Sequence, residues 1–134
     1  MPPITGIAHV ELSVSDLDRS VDWYCRLLGA RDVFRGSSDD YGIDACAIYE
    51  PGSGLVLAFT RHRQQLDGGF SPRRAGLDHV SFGVADRAAL EQWVARLDEL
   101  GIPHSAIQDG ATPVSVTFQD PDGIALELSY STRR

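Results

Sequence analysis

His9, His79 and Glu127 are the residues of this chain whose types could together hold a divalent metal ion. Two neutral imidazoles and one carboxylate on one side of a metal leave positions open for substrate or water. Such a set suits non-haem iron among other metals. Glu127 gives the strongest local reason to look for a metal. It interrupts the apolar run "IALELSY", where an unpaired buried carboxylate costs on the order of several kcal/mol, so something must compensate it. The alternative is that the three side chains form a metal-free, hydrogen-bonded polar cluster. Glu11 follows His9 by two residues and falls on the same side of an extended chain. It is the candidate for proton transfer, as a general base toward a substrate whose C–H or O–H a metal acidifies. It could instead be a replacement ligand, or a carboxylate at the rim of the site. The donors lie far apart along the chain, so spacing alone does not bring them together.

A repeat does. "GIAHVELSV" at Gly6–Val14 returns as "GLDHVSFGV" at Gly76–Val84, with the histidine in the same place. Shifted by 70 residues, Gly6–Leu27 matches Gly76–Leu97 without a gap, and 8 of the 22 positions are identical. The copied elements are a strand and a helix. Val10, Leu12 and Val14 alternate with His9, Glu11 and Ser13, and Val80, Phe82 and Val84 alternate with His79, Ser81 and Gly83. Asp16 and Asp86 stand at helix N-cap positions. Leu17, Val21, Tyr24 and Leu28 form one helical face, and Leu90, Trp93, Val94, Leu97 and Leu100 form the other. Gly29 and Gly101 stand where the helices should end.

Strand-like runs follow each helix: about 31–34, 44–49 and 55–60 in the first copy, and about 104–107, 114–119 and 124–130 in the second. Shifted by 69 residues, "GLVLAF" at Gly54–Phe59 lies on "GIALEL" at Gly123–Leu128, which makes Ala58 the counterpart of Glu127. The expected fold is α+β: two βαβββ modules forming a curved eight-stranded mixed sheet, a cup, with the helices outside. The chain is read as one domain over 1–134, with module 1 at about 4–60, a Gly-, Pro- and Arg-bearing linker at about 61–75, and module 2 at about 76–131. The polar faces that carry the histidines would line the cup, a concave setting for a small ligand.

These stretches resemble the vicinal oxygen chelate superfamily, also called the glyoxalase/bleomycin resistance/dioxygenase family. The resemblance rests on "HVELSVSDLDRSVDWYCRLLG", on "DHVSFGVADRAALEQWVARLDELGI" and on "FQDPDGIALELSY" with its Asp120–Gly123 turn. It implies His9, His79 and Glu127 as metal ligands, with one divalent ion per site (Fe, Mn, Ni, Zn or Mg). It also implies a small organic substrate that chelates the metal through two oxygens, and dioxygenase, lyase or isomerase chemistry. Members that use four protein ligands have a carboxylate or amide where this chain has Ala58, so the pattern points away from glyoxalase I and the four-ligand epimerases. Fosfomycin-type members use lysine and a hydroxyl residue two places after the first histidine. This chain has no lysine and has Glu11 there. The alternative within the family is a bleomycin-resistance-type protein that sequesters a small molecule without catalysis. Family members commonly form dimers, so a homodimer is expected, with modules paired within one chain or across two.

Composition narrows the remaining classes. The 134 residues suffice for a single core. The formal net charge is −7 and every basic residue is arginine, which disfavours nucleic acid as a partner. No apolar run approaches a membrane span or a signal peptide, and a cytoplasmic location is expected. Cys25 and Cys46 form no CxxC and read as plain buried thiols. His62 reads as solvated and His104 as a sheet-edge residue. Trp23 and Trp93 read as helix-to-sheet packing. Tyr41, Tyr49 and Tyr130 could reach a pocket. Arg73 and Arg74 read as a solvated pair, or as a site for an anionic group.

Overall fold

A computed structural model describes residues 1–110 and 112–132. The chain divides into two compact units, Met1–Asp67 and Gly68–Arg134. The first contains β1 (Val10–Ser13), α1 (Leu17–Leu28), β2 (Arg31–Ser38), β3 (Ile43–Glu50) and β4 (Leu55–His62). The second contains β5 (Val80–Gly83), α2 (Arg87–Glu99), β6 (Val114–Gln119) and β7 (Ala125–Tyr130).

Both helices begin as the sequence predicts. The Asp16 carboxylate accepts the Arg19 N–H at 3.1 Å, and the Asp86 carboxylate accepts the Ala89 N–H at 2.9 Å. Each satisfies one of the donors a helix start leaves unpaired. Gly29 ends α1 in the left-handed region at φ 67°, which glycine adopts without a Cβ penalty. Past α2, Gly101 has φ 69°.

In the first unit the strand order is β1-β4-β3-β2, with β1 parallel to β4 and the other pairs antiparallel. Helix α1 packs on β3 and β4. Its buried Val21, Tyr24 and Leu27 meet a core of Leu12, Val14, Cys46, Ile48, Leu57 and Phe59. The rings of Tyr24 and Phe59 stand 4.8 Å apart. Because side chains alternate across a strand, Glu11, Ala58 and Ala47 must face away from α1. Strand β2 runs four residues beyond the expected 31–34, through the polar "RGSS", because β3 pairs with it as far as Ser38↔Ile43. Main-chain pairing overrides weak strand propensity there. Strand β4 includes Arg61 and His62, so regular structure continues past the expected end of the first module.

In the second unit the order is β5-β7-β6, with β5 parallel to β7 and β6 antiparallel to it. The core is built from Leu90 and Leu97 of α2 with Val114, Val116, Phe118, Ile124, Leu126 and Leu128. The strand expected at 104–107 is reduced to two isolated bridges, His104↔Phe118 and Gln108↔Ser115. The described residues therefore form sheets of four and three strands, not eight strands. Pro103 offers no N–H to a ladder. In addition, the Thr117 N–H donates to the Ser105 hydroxyl at 3.0 Å rather than to a main-chain carbonyl. Among the described residues, no helix is long and apolar enough to cross a membrane.

Candidate metal centre

His79 directly precedes β5, and the sheet register places that strand beside Glu127. Val80 pairs with Leu126 and Ser81 with Glu127. Val80 and Phe82 point toward the helix side, so His79 and Ser81 share the opposite face with Ala125, Glu127 and Ser129. The hydrogen bond with Asp78 is the main cause that raises the pKa of His79; desolvation opposes it, and the charge of Glu127 adds a smaller rise.

That hydrogen bond bears on metal binding. His79 Nδ1 lies 2.7 Å from Asp78 Oδ1. With Nδ1–H donated to the carboxylate, the neutral ring has its lone pair on Nε2, the arrangement by which a carboxylate orients a ligating histidine. Glu127 is also held in place. The Ser81 hydroxyl donates to its Oε1 at 2.8 Å, and Ser81 in turn lies 2.7 Å from the Ser129 hydroxyl. Glu127 is half-buried and has no basic side chain bonded to it among the described residues. A histidine with a free Nε2 and a carboxylate with one oxygen uncommitted fit a divalent cation. Elsewhere in this unit a hollow of about 590 Å³ is lined by Pro103, His104, Thr117, Gln119, Asp120 and Ala125 among others.

The first unit repeats the layout with different residues. His9 directly precedes β1 and is exposed. Glu11 pairs with Ala58, Ala58 with Ala47, and Ala47 with Phe34, a row crossing all four strands. The Thr60 hydroxyl, on a residue only 4% exposed, donates to Glu11 Oε2 at 2.6 Å. The two units thus present different faces. The first is floored by alanines with one carboxylate at its β1 edge; the second is polar, with Ser81, Glu127, Thr117, Ser129 and Ser115.

The second unit therefore brings His79 and Glu127 together, and the first carries His9 and Glu11. Among the described residues, no three His, Cys, Asp or Glu side chains gather closely enough to hold a metal. Asp78, Ser81 and Thr60 were not anticipated as parts of the site. Asp78 and Ser81 flank or pair with predicted donors, and Thr60 is the counterpart of Ser129, so register supplies the signal for all three.

The remaining candidates have other partners. His104 lies between the Ser105 carbonyl at 2.6 Å and Asp98 Oδ1 at 2.7 Å. Arg74 donates to the carbonyls of Gly68 and Gly69, bracing its own loop. His62 and Tyr41 are exposed, while Tyr49, Tyr130, Trp23 and Trp93 are half-buried. Cys46 is buried and Cys25 half-buried, both thiols are free, and burial pushes up the pKa of each.

Known proteins share this fold. The model of the Glyoxalase/Bleomycin resistance protein/Dioxygenase superfamily matches residues 6–128. The putative ring-cleaving dioxygenase MhqA of Bacillus subtilis is 28% identical over 94% of this chain, which spans only 40% of that protein. The metallothiol transferase FosB of Staphylococcus saprophyticus is 28% identical over 96% of this chain and 79% of its own length. A solved glyoxylase/bleomycin resistance protein/dioxygenase domain from Frankia sp. EAN1pec superposes with a TM-score of 0.86. It is 31% identical, covering 98% of this chain and 95% of its own.

Proposed function

Because this chain belongs to the glyoxalase/bleomycin resistance protein/dioxygenase superfamily, we propose that it is a divalent-metal-dependent enzyme acting on a small organic substrate that presents two neighbouring oxygens. His9, His79 and Glu127 would hold the ion. The observation that carries this reading is that His79 and Glu127 share one sheet face, each held through one atom and open at the other. The bound cation would polarise the substrate oxygens and stabilise the anion formed in the reaction.

The protein's own groups do the rest. The two imidazoles are neutral donors, and Glu127 supplies negative charge. Asp78 fixes the His79 tautomer, and Ser81 fixes the direction of the Glu127 carboxylate. Glu11 adds a second carboxylate on the His9 side, able to take a proton from substrate or to give an oxygen to the ion. The alanines 45, 47 and 58 would leave the open face of the first unit uncrowded. The choice among dioxygenase, lyase and isomerase chemistry depends on which ion is bound. MhqA and FosB carry names for different reactions.

Metal analysis of untagged protein tests the reading. Wild type should retain one divalent ion per site, and His79→Ala should lose it. Metal-free wild type after reconstitution would instead favour a sequestering protein of the bleomycin-resistance kind.

A further inference from the structure

We infer that His104 is a pH-sensitive latch, which holds residues 103–108 against α2 and over the edge of β6 and lets them go when its ring loses a proton. The device lies wholly within the second unit and is independent of the metal-binding reading.

The segment that follows α2 is held to β6 at two places. The Ser105 N–H donates to the Thr117 carbonyl at 2.9 Å, and the Ser105 hydroxyl accepts the Thr117 N–H at 3.0 Å. Further on, Gln108 and Ser115 exchange two main-chain bonds, at 2.8 and 3.1 Å. Burial adds little, since none of residues 101–110 is buried. A segment with few buried apolar contacts opens locally at low cost, so its polar fixings decide whether it stays closed. The His104 ring supplies two of them. Its side chain is only 16% exposed, and it stands between the Ser105 carbonyl at 2.6 Å and the Asp98 carboxylate of α2 at 2.7 Å.

Neither partner can donate, so a ring bonded to both carries a proton on each nitrogen. A neutral ring keeps one donor. Its other nitrogen then points a lone pair at an oxygen, and that contact is lost. The surroundings favour the cation. From α2 the ring meets the Asp98 carboxylate, and from its own segment the Ser105 carbonyl. Strand β6, opposite at Phe118, carries no charged residue. Asp120, before β7, lines the same hollow as His104, and its Oδ1 is committed to two N–H groups. The Ser105 carbonyl and then Asp98 raise the pKa of the ring, with desolvation opposing them. The latch is therefore closed below a folded value that lies above the usual value of about 6.5, and it loosens as pH rises through that folded value. Pro103 and His104 line one side of the hollow and Thr117, Gln119 and Ala125 another. Release of the segment reshapes the hollow and bares the edge of β6 at Thr117.

Nuclear magnetic resonance of the whole chain tests the latch. Two quantities are followed at a series of pH values on both sides of the ring's titration. One is the protonation of the two His104 ring nitrogens. The other is the exchange of the Ser105, Gln108 and Thr117 N–H groups, each relative to an unprotected amide at the same pH. In wild type both ring nitrogens should be protonated at the acidic end. Protection of Ser105 and Thr117 should then fall about tenfold as the ring titrates, the worth of one hydrogen bond to a charged group. Amides of β3, in the first unit, should show no such step, and His104→Gln should show none at Ser105 or Thr117. In Asp98→Asn the ring should titrate at lower pH and the step should move with it. Protection that stays level while the wild-type ring titrates would overturn the inference, as would an equal step in His104→Gln. Should His104→Gln not fold, Asp98→Asn decides: a ring that titrates lower while the step stays in place would overturn it.

Discussion

Glu127 has no oppositely charged side chain bonded to it among the described residues; its partner is the Ser81 hydroxyl. It tolerates half-burial only because one oxygen is hydrogen-bonded and the other has solvent or an ion to meet. His79 is similar, held at Nδ1 by Asp78. If Asp78 orients the ring for coordination, Asp78→Asn should weaken metal binding about tenfold, the lower end expected for an outer partner so exposed. Calorimetric titration checks this, and unchanged affinity would show that the Asp78 contact is incidental. That His79 and Glu127 share a sheet face was legible because the repeat supplies a second copy to compare. Thr60 and Ser81 were not legible as partners of Glu11 and Glu127. Their hydrogen bonds depend on the parallel pairings β1–β4 and β5–β7, whose partners lie more than 40 residues apart.

At the scale of elements, the capped helices were readable because an N-cap and a C-terminal glycine act locally. The strand expected at 104–107 was not, because a strand exists only where a neighbour's ladder accepts it. Here Ser105 offers a side-chain oxygen in place of a carbonyl. His104 closes this segment onto α2. A carbonyl and a carboxylate can only accept, so a ring bonded to both must donate from both nitrogens and is protonated. The Ser105 carbonyl first, and then Asp98, raise the His104 pKa. A raised folded value means that the stabilisation is complete below the unfolded value of about 6.5, and is lost as pH rises through the higher folded value. Wild type should therefore lose stability across that window relative to His104→Gln, which urea denaturation at a series of pH values would reveal. Parallel curves would contradict it. A second element-level test concerns the turn before β7. Asp120 is buried, and its Oδ1 accepts the N–H groups of Asp122 and Ile124 at 2.8 and 2.9 Å. Asp120→Ala should cost about 1–3 kcal/mol by leaving those donors unpaired. Because the turn sets the start of the strand that carries Glu127, metal affinity should fall with it.

For the whole molecule, duplication explains both the resemblance between the halves and their difference. Each half keeps the strand and capped helix that the sequence predicted, and in each the last strand lies parallel to the first. They differ on the open face, where the first half has alanines 45, 47 and 58 and the second has hydroxyls around Glu127. The family was readable from short stretches because those stretches build the repeated strands and capped helices. The reaction was not, since it depends on side chains lining the open faces. Metal content measured by mass spectrometry on untagged, reconstituted wild type and His79→Ala tests the central claim most directly. The account predicts one divalent ion per site in wild type and none in the variant; wild-type protein that stays metal-free would contradict it.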